Sequence, residues 1–384
     1  MLRKVPIVAV PIEITDLLAG FNAFSRKLSP GSEPSDVFFA DSATACLYTF
    51  LQILKGQSDK QEVILPAYTA STLVIAIQKA GLKPVLCDIR LTDFNMDPDS
   101  LRQIITEKTL AIIGVHMFGI VDAGLGNIKK QFPEIIVIED CCQAMGSEID
   151  REFVGKMTDV SLFSFNRGKN IPTYGGGCLG LNIKFLIDKI KQSGVREQPV
   201  TLAQELKSAV KLMALAVIMR PWVYGAALPF IAGLKEKAPA EDFAVQGYTK
   251  FQLGVLGSLL KKMKSLSQQR YINGMKLIEG LQKTEGVCTP EIAKNTKPAF
   301  NRLPVLFNDP KEKETTQKNL SRSGIETSQM YFKPLHHIFA LGYKKEEFSN
   351  AVYLAQHLLT LPTHPLLADS DIEKIIKTIR RVVK

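Results

Sequence analysis

Lys169 lies in a polar turn between two stretches of strand character, and its surroundings make it the first residue to weigh. Residues 160–165 read as a buried strand and residues 177–181 as the next. Between them Gly168 and the run Gly175 to Gly177 let backbone approach another group closely. Most lysines are solvated surface charges, so the turn alone decides nothing. Upstream, an apolar run over residues 134–139 ends in Asp140, and Gln143 follows three positions later. Open α/β sheets hold ligands just beyond the carboxyl ends of such strands. Further upstream, residues 38–47 offer Asp41 or Ser42 as a helix cap, which leaves the amides of Ala43 and Thr44 facing outward. A helix start of that kind binds phosphate.

A phosphate cradle, a buried carboxylate and an amine are the parts that pyridoxal 5'-phosphate requires. On this reading Lys169 condenses with the cofactor aldehyde. Asp140 pairs with the pyridinium nitrogen and makes the ring an electron sink, although an aspartate there can also cap a helix.

The elements that must position these groups alternate. Short apolar strands are predicted at residues 62–66, 84–88, 110–115 and 134–139. Helices are predicted over residues 72–80, from the Asp97-Pro98 start, and around residues 128–132. Continuous apolar strands alternating with helices mark an α/β protein with a mostly parallel, doubly covered sheet. Residues 1–34, broken by Pro6, Pro11, Pro30 and Pro34, read as an arm. A long helix is predicted from Tyr248, with Leu253, Leu256, Leu260 and Met263 at helical spacing. Short strands and helices follow from Cys288, ending in a helix over residues 369–383. The predicted division is a large domain over residues 1–247 and a connecting helix with a small α+β domain over residues 248–384.

One segment breaks the pattern. Residues 209–234, within an insertion of about 205–237, are nearly all apolar, interrupted by Lys211, Arg220, Pro221 and Pro229. Neither half reaches the roughly 20 residues that span a bilayer. Trp222 and Tyr224 beside Arg220, then Lys235 and Lys237, suit a membrane interface. The expectation is a hairpin on an anionic membrane surface. Trp222 and Tyr224 would lie at headgroup depth, and Leu212, Leu215, Ile218, Phe230 and Ile231 in the acyl boundary. The alternative is packing on the protein or on a second subunit.

Composition bounds the rest. The 384 residues carry a formal net charge of +10, which attracts anionic substrates or acidic lipid. No Lys/Arg stripe alternates with aromatics and no zinc or helix-turn-helix spacing occurs, which argues against nucleic acid. The six cysteines form no CxxC pair and read as small core residues of a reducing cytoplasm. The five histidines show no metal spacing, so no metal is expected. The first residues lack a signal-peptide core. The expected location is the cytoplasm, at the inner face of the membrane where the insertion binds it.

In order, the chain carries Ser42-Ala-Thr, Pro66-Ala-Tyr-Thr, Val115-His-Met-Phe-Gly119, Glu139-Asp-Cys-Cys-Gln-Ala-Met-Gly146, Ser164-Phe-Asn-Arg-Gly-Lys169, Gly176-Gly177 and Leu361-Pro-Thr-His-Pro365. In that order and spacing it resembles the DegT/DnrJ/StrS sugar aminotransferases. The resemblance implies the fold-type I architecture of pyridoxal-phosphate enzymes: a large domain with a mostly parallel seven-stranded sheet and a small C-terminal α+β domain. It implies a homodimer with shared active sites. Glutamate would donate the amino group to a keto sugar, nucleotide-linked, in sugar or cell-surface polysaccharide synthesis. Lys169 would carry protons between carbon and nitrogen. Ala43, Thr44 and Ser164 would hold the phosphate, Gln143 would lie near the pyridoxal ring, and Tyr331 and His336 near the substrate. His116 and Phe118 follow a strand and read mainly as packing.

Three positions depart from the family pattern. Ala43 replaces a glycine, with its amide retained. Ala70 stands where a stacking ring is usual, with Tyr68 the candidate substitute. Gln246 or Tyr248 lies about where a partner-subunit residue reaches the phosphate. Two rival functions follow: the same cofactor acting on a lipid-linked or non-sugar ketone, or a non-catalytic scaffold of this fold. The joint presence of Lys169, Asp140 and Gln143 argues against the scaffold.

Overall fold

The structure, a computed structural model, describes residues 3–25, 36–192, 198–231, 243 and 245–383. After the arm, α1 (Ile14–Ser25) leads to β1 (Val37–Ala40) and α2 (Ala43–Lys55). Then come β2 (Glu62–Pro66), α3 (Ser71–Lys79), β3 (Lys83–Cys87), α4 (Pro98–Ile104) and β4 (Thr109–Val115). α5 (Leu125–Gln131), β5 (Ile136–Asp140), a small hairpin of β6 (Glu148–Ile149) and β7 (Glu152–Phe153), β8 (Val160–Ser164) and β9 (Gly177–Leu181) complete this part.

Seven of these strands form one sheet in the order β1-β9-β8-β5-β4-β2-β3. β9 alone runs against its neighbours, and the remaining pairings are parallel. All of β4 is buried, as its unbroken apolar run requires. The register aligns Val115 with Asp140 and Asp140 with Leu162, so the carboxyl ends of β4, β5 and β8 meet at one edge. The mostly parallel sheet agrees with the sequence expectation.

The arm differs from it. Prolines keep its first residues extended, but α1 is a regular helix seated on α9 (Lys250–Lys261). The contact is close because neither helix has a side chain at the crossing. A Cβ on Gly20 would lie 2.8 Å from Val255, and one on Gly254 would lie 2.4 Å from the Ala19 carbonyl. The long helix predicted from Tyr248 is two helices, α9 and α10 (Met263–Leu281), which break at Lys262. The Lys262 amine is drawn to Glu13 at 2.7 Å and Asp16 at 3.0 Å at the start of α1.

The C-terminal part holds β10 (Val287–Cys288), β11 (Thr296–Lys297), β12 (Leu303–Phe307), α11 (Pro310–Arg322), α12 (Ser349–His357), β13 (Leu358–Leu361) and α13 (Asp369–Val382). β10, β12 and β13 make an antiparallel sheet, whereas β11 pairs with β6. One apolar cluster runs from Leu51 and Ile113 through Phe300 to Leu359 and Ile375, so the two expected domains share a core.

Between them lie α6 (Lys184–Gln192), α7 (Leu202–Ile218) and α8 (Pro221–Ile231), of which α7 and α8 fall on the insertion. Thr201 and Gln204 form a capping box at the start of α7. The α7 face of Ala209, Leu212 and Ala216, together with Met219 and Tyr224, packs into a core with Val255 and Leu259 of α9. Leu212 and Tyr224 are therefore turned to the protein, which corrects the expectation that both meet lipid. Leu202, Leu206, Val210 and Val217 form the exposed apolar stripe instead, followed by Trp222, which is 66% exposed. The side chains of Phe230 and Ile231, also expected at the membrane, lie outside the described residues. Among the described residues no helix is long and apolar enough to cross a membrane.

Candidate active site

The start of α2 sits against β9. Ser42 is in extended conformation, and its hydroxyl accepts the Ala45 amide at 3.1 Å. The amides of Ala43 and Thr44, in the first turn, have no acceptor within the helix. Gly177 leaves that end open: a Cβ there would lie 2.3 Å from the Ala43 nitrogen. Gly176, at φ +91°, bridges to Ser42, and a Cβ on it would collide with the ring of Tyr248.

At the end of β5, one oxygen of Asp140 accepts the Cys142 amide at 2.9 Å. The Gln143 carbonyl accepts the Phe118 amide at 3.1 Å, a geometry that depends on Phe118 holding φ +59°. This leaves the Gln143 amide nitrogen directed elsewhere, 3.4 Å from the hydroxyl of Tyr331. Burial, then the charge of Asp140, pushes the Tyr331 phenol up, so it stays protonated.

Under this edge, Glu139 accepts His116 Nε2 at 3.0 Å, the Gly155 amide at 2.6 Å and the Met157 amide at 3.1 Å. Burial raises the Glu139 carboxyl, but these donors outweigh burial and hold it below the usual range. His116 Nδ1 accepts the Asp122 amide at 3.0 Å, which leaves the ring proton on Nε2. His116, Glu139 and Cys141 bring ligand-type atoms within 4.8 Å of one another. Because the imidazole and carboxylate atoms are committed to these bonds, the cluster works as a clasp that fixes the strand end beneath Asp140.

The Lys169 turn is held from the C-terminal part. Asn301 donates to the Gly168 carbonyl at 2.7 Å and to Asn170 Oδ1 at 3.1 Å. Asn170 donates to the carbonyls of Ala299 at 2.7 Å and Met145 at 3.0 Å. The sequence reading missed both asparagines. Asn170 followed the motif directly, but nothing local to it indicates a partner 131 positions away.

These pieces surround one cavity of about 620 Å³. Ala43, Thr44, Asp140, Gln143, Ser164, Lys169 and Tyr331 all line it. The profile of the DegT/DnrJ/EryC1/StrS aminotransferase family matches residues 21–201 and 248–380. An uncharacterized protein of Methanocaldococcus jannaschii, MJ1066, is 30% identical, over 89% of this chain and 84% of its own. The dTDP-3-amino-3,4,6-trideoxy-alpha-D-glucose transaminase of Micromonospora megalomicea is 25% identical, over 85% of this chain and 80% of its own. The crystal structure of the aminotransferase TlmJ from Streptoalloteichus hindustanus superposes with a TM-score of 0.77 at 20% identity, covering 99% of this chain and 98% of that one.

The chain belongs to the DegT/DnrJ/EryC1/StrS aminotransferase family. It is a pyridoxal-phosphate-dependent aminotransferase with the fold of that family. The site fits the cofactor: the α2 amides stand open where a Cβ on Gly177 would fill the cradle.

Three expected residues of this aminotransferase lie elsewhere. Tyr68 is buried outside the cavity; its hydroxyl is 2.9 Å from the Tyr331 carbonyl and accepts the Tyr331 amide at 3.2 Å. It braces the Tyr331 loop from behind, while Thr69 and Ala70 face the cavity. His336 also lies outside it, 3.3 Å from the Lys345 carbonyl and against Phe348. Tyr248 is half-buried in its own subunit between Phe39 and Phe165, its hydroxyl 2.5 Å from Thr173.

Proposed function

We propose that this aminotransferase takes its amino group from glutamate and places it on a nucleotide-linked keto sugar. The observation that carries the reading is the convergence of Lys169, Asp140, Gln143 and the open α2 amides on one cavity. The named product of the transaminase relative, a dTDP-linked amino sugar, supports the nucleotide-linked acceptor. Arg167 and Arg302 line the same cavity and suit a diphosphate.

Pyridoxal phosphate, when bound, supplies an electron sink for the carbon next to nitrogen. Ala43, Thr44 and Ser164 would hold its phosphate. Asp140 would keep a proton on the ring nitrogen, and Gln143 would direct its amide nitrogen toward the ring. Lys169 would take the proton from carbon and return it on the opposite half of the cycle. The test supplies glutamate with a panel of nucleotide-linked 3-keto and 4-keto hexoses. 2-Oxoglutarate and an aminated sugar are expected in equal amounts. Absence of both across the panel would remove the proposed donor and acceptor.

The reading includes a homodimer. Phe332 lines the cavity yet is 76% exposed in a single chain, so a second subunit would complete the rim. Sedimentation should give twice the mass of the chain.

It also includes contact with an anionic membrane surface. Leu202, Leu206, Val210, Val217 and Trp222 are exposed on α7 and α8, and Lys207 and Arg220 are exposed beside them. Burying such side chains is worth about 1.5–3 kcal/mol each, and the cations add attraction that salt weakens. In liposome flotation the protein is expected to rise with anionic vesicles at low salt. Leu206→Asp combined with Val210→Asp should leave it in the soluble fraction. Wild-type protein that never floats would assign the stripe to a protein contact.

A further inference from the structure

We propose that the arm and the α7–α8 pair form the sugar-side wall of the cavity, and that Glu326 is its hydroxyl-binding carboxylate, oriented by Tyr224. This rests on the keto-sugar reading above.

The wall is built from three separate pieces of chain. Val5 and Ile325 bridge in parallel, with the Val5 amide donating to the Gly324 carbonyl at 2.8 Å and the Glu326 amide to the Val5 carbonyl at 2.9 Å. α8 docks on this short ladder through the Lys4 amide, which donates to the Pro221 carbonyl at 3.0 Å. Glu326 stands where the three meet. One of its oxygens accepts both the Ile7 amide and the Tyr224 hydroxyl, each at 2.9 Å. Tyr224 is 3% exposed. Burial, then the charge of Glu326, pushes its phenol up, so it remains a donor. The second oxygen of Glu326 has no hydrogen bond among the described residues, and Glu326 lines the cavity beside Ile7 and Met219.

A carboxylate with one oxygen pinned and the other open accepts hydrogen bonds from neutral donors. A hexose ring offers hydroxyls in that form. The donor glutamate carries two carboxylates and one ammonium, a net negative charge that Glu326 repels. The hexose ring carries no charge, so Glu326 favours it over the donor carboxylates. Two of the wall's three pieces, residues 3–8 and 202–231, also lie outside the segments that the family profile matches. Lys169, Asp140 and Gln143 lie within them. The shared chemistry thus sits on the family scaffold, while this wall is built largely from segments outside it.

The test separates the two half-reactions in the holoenzyme. The probe is a nucleotide-linked 4-keto-6-deoxyhexose, titrated for Kd against the amine form and assayed for KM. The donor side is read as single-turnover 2-oxoglutarate formation from glutamate. Glu326→Gln is expected to raise the probe's Kd and KM about tenfold to a hundredfold, the loss of a hydrogen bond to a charged group. The glutamate half-reaction should stay within about twofold. Tyr224→Phe retains the packed ring and should shift the same two constants in the same direction by about threefold. The double variant should be no worse than Glu326→Gln alone, because Tyr224 acts through Glu326.

Unchanged probe affinity in folded Glu326→Gln overturns the proposal. Both half-reactions slowing together with a lowered Tm also overturns it, because that pattern marks a residue that only holds the arm. If Glu326→Gln does not fold, Tyr224→Phe decides on the same criterion. Wild-type protein that consumes glutamate without binding the probe overturns the sugar-side assignment. Wild-type protein that yields no 2-oxoglutarate overturns the donor reading itself.

Discussion

Lys169→Ala is expected to lower turnover by about 10²–10⁴-fold, the range lost when a positioned proton carrier is removed. The protein should remain folded, because the turn is held by Asn301 on the Gly168 carbonyl and by Asn170, not by the lysine side chain. Two readouts separate a chemical role from a packing one. Borohydride reduction of the wild-type holoenzyme, followed by peptide mapping, should place the added cofactor mass on Lys169. An added small amine should restore part of the variant's glutamate half-reaction, since it can enter a cavity of about 620 Å³ and move the same proton. Full activity in the variant, or a mapped adduct on another lysine, would exclude Lys169 from the chemistry.

Asp140→Asn should retain the cofactor and lose about 10²–10³-fold in the glutamate half-reaction, the scale set by removing one preorganised electrostatic contact. The amide is nearly isosteric and can still accept from the Cys142 amide, so the strand end stays in place. It no longer supplies the charge that favours a protonated ring nitrogen. Stopped-flow absorbance follows the half-reaction directly. An unchanged rate would leave Asp140 only as the residue that caps this turn.

Much of the sheet was legible because its strands are buried on both faces and read as unbroken apolar runs, as β4 does. The Lys169 turn was legible because Gly168 and Gly175 to Gly177 fall at fixed distances around it. Contacts made across the chain were not. Tyr224 meets Glu326 at a separation of 102 residues, and neither position carries a local pattern. The seating of the Tyr248 ring on Gly176 follows from the missing side chain of that glycine, visible only once the two segments lie together. Tyr68 was misplaced for a local reason. β2 ends at Pro66, so alternation of side chains no longer fixes which of the next residues faces the ligand. The insertion was visible as apolar, but composition did not separate the face that packs on α9 from the one that remains exposed.

The joining of residues 3–8 to the C-terminal part has a consequence for biosynthesis. Arg3 binds Asp371 through two bonds of 2.7 Å, the Pro6 carbonyl contacts His364 at 2.9 Å, and Val5 bridges to Ile325. Residues 3–8 are thus seated by residues synthesised some 320 to 368 positions later. At about 5–20 residues per second, the arm waits tens of seconds for its partners. Through that interval the lysine turn and the phosphate cradle lack the side that closes with the arm. A nascent chain stalled before Gly324 would carry both Lys169 and the α2 start, but it would lack the Val5, Ile7 and Arg3 partners and, among the described residues, offer residues 3–8 only the Pro221 carbonyl. Synthesis of the C-terminal part, more than formation of the sheet, is the point at which the pocket acquires its full outline.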